Sequence, residues 1–257
     1  MADSIDLNAD LGESFGAWKM GSDNELLDIV TSANVACGFH AGDPLVMTET
    51  VRSCLAKGVN IGAHPGFDDL SGFGRRRMEN PDHEMTAASI IYQIGAIQAV
   101  ARSQSANVTH VKIHGALANM ASESDELAAV CLNAVASIDT NLAIVAMAST
   151  ALQSQAEQLR LPVLREVFAD RAYNDDGTLV SRGTAGAVIH DANEAATRVL
   201  KMLDNHQIES VSGATIKVIP DTICVHGDNP EAVRMAETLR ARIEKAGISV
   251  TGYAVLS

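Results

Sequence analysis

The sequence is short of basic residues. Its 257 residues hold 19 Lys and Arg against 32 Asp and Glu, a formal net charge of −13. Such a surface repels a phosphate backbone, so nucleic-acid binding is not expected. Cysteine is sparse too. Cys37, Cys54, Cys131 and Cys224 stand alone with no CxxC spacing, which excludes zinc ribbons and thioredoxin-like redox motifs. Scattered thiols suit a reducing cytoplasm. Residues 1–6 carry neither a basic stretch nor a long apolar run, so no secretory signal peptide is expected. No stretch reaches the roughly 18 apolar residues of a membrane span. There is no GxxxxGK[ST] phosphate loop, no HExxH and no GxGxxG after the first strand.

Hydrophobic residues make up 47% of the chain, enough for a core without a metal or disulfide staple. Short apolar runs at 4–10, 34–39, 59–63, 109–114, 142–147, 163–168 and 222–225 read as strands. Helical patterns fall at 24–30, 44–57, 86–102, 123–137, 151–159, 193–205 and 231–246, with a closing extended piece at 249–253. The clearest helix carries Ile90, Ile94, Ile97 and Ala101 on one stripe. No linker interrupts the series, so residues 1–257 are expected to form one domain. Strands alternating with helices imply parallel pairing through right-handed crossovers. The fold class is therefore α/β, as a single (β/α) barrel. An open doubly wound sheet is the runner-up.

Parity within the strands carries the functional signal. Ile5, Leu7 and Ala9 alternate with Asp6, Asn8 and Asp10. In the second strand Asn34, Ala36, Gly38 and His40 oppose Val35, Cys37 and Phe39. In the third, Asn60, Gly62 and His64 oppose Val59, Ile61 and Ala63. In the fourth, His110, Lys112 and His114 oppose Val111 and Ile113. Alternate side chains face opposite sides of a strand, so the apolar set should meet the helices and the polar set should point into the barrel. Buried ionisable groups are costly unless paired, and this many of them argue for a functional cavity. Asp10, His40, His64 and His114 are expected at C-terminal strand ends, where parallel α/β folds place their active sites. Asp170 after Glu166, and His226 with Asp228 just beyond, fall at the same end.

Hydrolysis at that rim is the expected chemistry. Asp10 is the first choice for a base that activates water or orients a histidine. His40, His64 and His114 could serve as base, acid or metal ligands. Lys112, Arg75 and Arg76 could neutralise a substrate carboxylate or phosphoryl oxygens. Glu166 and Asp170 are candidates for acid work on a leaving amine. A divalent metal is left open, since Asp and His at a barrel mouth suit zinc or manganese. Gly12-Glu13-Ser14-Phe15-Gly16 matches GxSxG, but residues 17–21 are a poor helix start, so no nucleophile elbow is expected.

These residues lie in motifs that resemble the LamB/YcsF family. They are DLNADLGESFG at 6–16, SANVACGFHAGDP at 32–44, IGAHPGF at 61–67, GFGRR at 72–76, VKIHGAL at 111–117, EVFADRAY at 166–173 and DTICVHGD at 221–228. Ile113 stands where the family usually has Pro. The resemblance implies a seven-stranded, glycoside hydrolase/deacetylase-like barrel. It implies opening of the 5-oxoproline lactam to L-glutamate, coupled to ATP hydrolysis, within a multi-subunit 5-oxoprolinase. Partner subunits B and C would bind ATP and phosphorylate the lactam, and this chain would attack the activated ring with water. On these motifs Glu13 joins the catalytic candidates, and Asn8, Arg171, His226 and Asp228 join Lys112, Arg75 and Arg76 as substrate-binding candidates. Two rival functions stand beside this one: a stand-alone metal-dependent deacetylase or amidase, and a non-catalytic subunit that only binds 5-oxoproline.

Overall fold

A computed structural model describes residues 4–181, 183–227 and 229–253. Strands β1 (Ser4–Leu11), β2 (Ser32–Ala36), β3 (Asn60–His64), β4 (Val108–Lys112), β5 (Ala143–Met147), β6 (Val163–Phe168) and β9 (Thr222–Val225) pair in parallel in that order. β9 returns to β1, with Asn8 opposite Cys224, and closes a seven-stranded barrel. Helices α1 (Asp23–Leu26), α2 (Pro44–Lys57), α3 (His83–Ser103), α4 (Gly115–Glu123), α5 (Asp125–Ile138), α6 (Ala151–Gln158), α7 (Ala192–Asn205) and α8 (Pro230–Lys245) alternate with the strands. A small antiparallel hairpin, β7 (Gln207–Glu209) and β8 (Thr215–Lys217), follows α7. A short β10 (Ser249–Val250) pairs with the start of β1.

The expected alternation holds where it was clearest. Ile5, Leu7, Ala9 and Leu11 of β1 are buried with Val35, Ile61, Ala63, Val111, Ile144, Val167 and Ile223 in one core shared with the helices. The α3 stripe of Ile90, Ile94, Ile97 and Ala101 is fully buried in that core. Each such isoleucine contributes about 1.5–3 kcal/mol relative to exposure. Local signals set the helix ends. Asp43 caps α2 by accepting from the Leu45 and Val46 amides, Pro44 occupies the first turn, and Gly58 ends the helix in a left-handed conformation.

The inner face divides in two. Ala143, Val145 and Leu164 form a separate small apolar cluster, against which Tyr253 packs. The rest of the inner face is polar and hydrogen-bonded. Asp6 accepts from the hydroxyls of Thr31 (2.7 Å), Ser32 (2.6 Å) and Thr222 (2.5 Å). Burial nonetheless raises the Asp6 carboxyl above its ordinary value. Tyr253 spans the end of the barrel where the strands begin: its hydroxyl donates to Thr109 O (2.5 Å) and its carbonyl accepts from Asn60 Nδ2 (3.4 Å).

Several boundaries differ from the sequence reading. β2 ends at Ala36, so His40 lies in the following loop and not on a strand. His114 also lies past its strand, as the N-cap residue of α4. The helix expected at 123–137 begins at Asp125, and α4 before it was not anticipated. The β7–β8 hairpin was likewise missed. Its strands are three residues each, too short for a period-2 pattern to stand out.

Candidate active site

The barrel mouth is built from β1, β3, β4, β6 and β9 and the loops that follow them. β1 carries Asn8 and Asp10 on its inner face, one above the other. Asn8 is fully buried and paired through both ends of its amide: Nδ2 donates to Thr222 Oγ1 (2.8 Å), while Oδ1 accepts from Asn34 Nδ2 (2.8 Å) and Lys112 Nζ (3.2 Å). Asp10 stands closer to the opening, its side chain 21% exposed. Its Oδ1 accepts from Asn34 Nδ2 (2.9 Å) and Lys112 Nζ (3.1 Å), and its Oδ2 lies 3.4 Å from His64 Nε2. Burial works against the ionised carboxylate, but His64 and Lys112 outweigh it and hold Asp10 well below the usual range.

Lys112 is the hub. Its ammonium contacts Asn8, Asp10 and Cys224 Sγ (3.2 Å), and pairs with Glu166 Oε1 at 2.8 Å. Burial disfavours the charge, yet the carboxylates on either side raise Lys112 well above its ordinary value. Glu166, on β6, is also buried. One buried cation between two carboxylates leaves a net negative charge at the floor of the mouth, and a positive partner above it would offset that charge.

Three histidines stand there. His64 ends β3, and its Nδ1 lies 2.7 Å from Lys112 O. His114 Nε2 lies 2.8 Å from Phe73 O, and its Nδ1 lies 3.0 Å from His64 Nε2. His40 is fully buried and stacks on His114, with ring centroids 3.7 Å apart and planes within 5°. Burial and the neighbouring rings lower His40 well below its ordinary value and bring His114 down to about 3. His64 differs: burial pulls it down, but Asp10 beside it more than compensates, and it rises above its ordinary value.

The loops that hold these rings are fixed from behind. Gln93, buried on α3, accepts from Gly66 N (3.0 Å) and donates to Gly66 O (2.9 Å). Gly74, at φ 62°, covers the histidine stack so closely that a Cβ there would lie 2.8 Å from His114 and 2.9 Å from His40. Glu13 follows Gly12, whose amide is held by Asp23 Oδ2 (2.8 Å). Its Oε1 lies 3.5 Å from His40 Nε2 and 3.9 Å from His114 Nδ1. Glu13, His40, His64 and His114 each offer one ligand atom, all within 4.8 Å of one another, and so could hold a metal ion.

The other expected residues divide. His226, one residue past β9, pairs through Nδ1 with Asp170 Oδ2 at 3.0 Å. Both line a cavity of about 330 Å³. The larger cavity of about 600 Å³, between α7 and the hairpin, contains none of the mouth residues. Arg76 is committed to Asp69, which also caps the short turn at Leu70–Gly72. Arg77 pairs with Glu123. Of the arginine run, Arg75 stays by the mouth, over the Phe73 ring at 4.9 Å. Arg171 is buried and donates to Val180 O (2.7 Å). Asp228 lies outside the described residues. Ser14 Oγ accepts from Met20 N (3.0 Å) and a turn, not a helix, comes directly after it, so it does not form a nucleophile elbow. Asn34 and His110 were not singled out as site residues. Their place on the inner face was legible, but their link to Asp10 is a contact between strands that no local pattern encodes.

The model of the LamB/YcsF family matches residues 5–256. A protein of Ruegeria pomeroyi described as the A subunit of 5-oxoprolinase is 50% identical over 249 residues, covering 97% of this chain and 98% of the relative. One from an Azoarcus species with the same description is 53% identical over 242 residues, covering 93% and 94%. The crystal structure of a lactam utilization protein from Thermus thermophilus superposes with a TM-score of 0.91 at 41% identity, covering 97% of this chain and all of that one. A family 4 carbohydrate esterase from Streptomyces lividans shares the fold alone, with a TM-score of 0.55 at 11% identity.

Proposed function

This chain belongs to the LamB/YcsF family, and from that premise we propose that it is the lactam-opening subunit of an ATP-dependent 5-oxoprolinase, acting on 5-oxoproline activated by partner subunits B and C. Relatives near 50% identity carry that enzyme's name. The observation that carries the chemistry is Lys112 held between Asp10 and Glu166 beneath three histidines. We take residues 1–257 as one catalytic domain that works in the cytoplasm. Among the described residues, no helix is long and apolar enough to cross a membrane.

Amide resonance makes a five-membered lactam a poor electrophile. Transfer of a phosphoryl group from ATP to the lactam oxygen, at a partner's nucleotide site, removes that resonance and releases ADP. At the barrel mouth Asp10 accepts a proton from water, and the resulting hydroxide adds to the ring carbon. Lys112 and Arg75 stabilise the negative charge on the phosphoryl oxygens. The adduct can expel either phosphate or the ring nitrogen. Expelling phosphate regenerates the lactam and wastes the ATP. Breaking the C–N bond requires a proton on the nitrogen, supplied by His226 held by Asp170, or by Glu166 once it has taken a proton from Lys112. That route leaves an acyl phosphate, which a second water hydrolyses to L-glutamate and phosphate.

The test is glutamate and phosphate release by the purified chain alone, then with subunits B and C added. ATP-dependent glutamate release only in the full mixture is expected. Turnover of ATP or 5-oxoproline by the single chain would refute the division of labour. An unchanged rate in a folded Asp10→Ala variant would refute the catalytic assignment and favour a protein that only binds the lactam.

A further inference from the structure

Carbonyl oxygens accept hydrogen bonds and never donate them. His64 Nδ1 faces Lys112 O at 2.7 Å and His114 Nε2 faces Phe73 O at 2.8 Å, so both of these nitrogens carry protons. In the neutral rings the other two nitrogens are then bare. They are His64 Nε2 and His114 Nδ1, and they lie 3.0 Å apart. Two lone pairs at that separation repel unless something positive lies between them.

A shared proton would satisfy that pair but not His40. That residue is fully buried, and neither ring nitrogen has a hydrogen-bond partner, which is costly in a dry site. Glu13 Oε1 lies 3.5 Å from His40 Nε2. We propose that Glu13, His40, His64 and His114 bind one divalent transition-metal ion, of the zinc–manganese class, at the mouth of the barrel. One ion engages all three rings and the carboxylate together, and gives one of the two His40 nitrogens its partner. Three imidazole nitrogens and one carboxylate oxygen favour such an ion over magnesium or calcium. The two backbone carbonyls complete the pattern, because a metal-ligating histidine regularly donates its other N–H to a carbonyl or carboxylate that fixes its tautomer. The ion would also place positive charge next to Asp10 and offset the net negative charge of the Asp10–Lys112–Glu166 floor.

Two features fit its uptake. The four ligand atoms span up to 4.8 Å, slightly more than twice a metal–nitrogen bond of about 2.1 Å, so the set contracts on binding. Glu13 sits on the loop after β1 and can move inward. The His40 ring lies flat on that of His114, so binding turns it out of the stack.

The inference concerns the same site as the proposed lactam opening, but its test needs neither partner nor substrate. Purified chain, stripped with chelator, is titrated with Zn²⁺, Mn²⁺ and Co²⁺ by calorimetry. Metal content after gel filtration and the visible spectrum of the Co²⁺ form are read alongside. One ion per chain is expected, with Co²⁺ bands of nitrogen and oxygen ligation. Affinity should fall on the order of 100-fold or more in His40→Ala and in Glu13→Gln. Glu13 is on a loop and partly exposed, so the second variant tests the site if the first fails to fold. Absence of stoichiometric binding of all three ions by folded wild-type chain would overturn the proposal. So would binding unchanged in Glu13→Gln, which would place the ion elsewhere. Failure of the lactam assay alone would leave these readouts unaffected.

Discussion

His110 Nε2 lies 3.0 Å from Asn34 Oδ1, and this contact fixes which way the Asn34 amide faces. The oxygen accepts from the ring, so Nδ2 is left to donate to Asp10 Oδ1 (2.9 Å) and Asn8 Oδ1 (2.8 Å). His110 stays neutral because burial and Lys112 bring it down to about 3. Its ring occupies the place of a missing side chain: a Cβ on Gly62 would lie 2.1 Å from His110 Nε2. Asn34 is therefore a positioning residue for Asp10. A hydrogen bond to a charged group contributes about 1.5–3 kcal/mol, so Asn34→Ala should lower kcat of the reconstituted enzyme by roughly 10–100-fold, with a smaller change in KM. Unchanged kcat in a folded variant would remove Asn34 from the machinery.

Asp10→Asn keeps the shape of the side chain and removes the base. Activity should fall by about 10²–10⁴-fold. The circular-dichroism spectrum should match wild type, since Asn34, Lys112 and His64 all retain a neighbour of the same size. Glutamate release at more than a tenth of the wild-type rate would exclude Asp10 as the base.

Lys112→Met removes the cation that contacts both Asp10 and Glu166. Breaking a buried charge pair by deleting one partner typically costs about 3–5 kcal/mol, so the midpoint of urea unfolding should drop accordingly. Adding Glu166→Gln should recover part of the loss, because one uncompensated carboxylate is then gone. Two losses that simply add would show that the three residues are not coupled.

Asp43 joins two loops at the rim. It caps α2 and accepts from Gly16 N (2.7 Å), and the Val46 and Gly16 amides lower its carboxyl below the ordinary value. Asp43→Ala should cost about 1 kcal/mol. The pH dependence follows from the direction of the shift. A depressed carboxyl contributes stability above its unfolded value of about 3.9 and loses it as pH falls through the lower folded value. The gap between wild type and Asp43→Asn, measured by denaturant unfolding, should be full at neutral pH and shrink in acid. A gap that widens in acid would contradict the assignment.

The legible part of the molecule was what a single strand can encode. Asp6, Asn8 and Asp10 alternate with Ile5, Leu7 and Ala9, and the barrel places the two sets on opposite faces as that alternation requires. His40 reached the site by another route. Its strand stops at Ala36, and the loop carries it in through Gly38 at φ 98° and Gly42 at φ 79°. The right residue was found on a wrong local structure, because an alternating pattern can run past a strand's last ladder pair. The arginine run shows the opposite limit. Nothing in three adjacent arginines foretells that Asp69 takes one and Glu123 another. The first pairing is settled by how the loop after β3 turns on itself, and the second only when that loop folds against the end of α4.

The first residue of β1 pairs with the first of β10, Ser4 opposite Ser249. Both strands begin at the end of the barrel away from Asp10 and the histidines, and Tyr253 closes that end against Thr109 and Asn60. The starts of these two strands thus lie on the face opposite the mouth, and Ser4 and Ser249 are both exposed there. A fluorophore or surface tether fixed at a cysteine substituted for Ser4 or Ser249 would therefore not stand between this mouth and whatever docks on it.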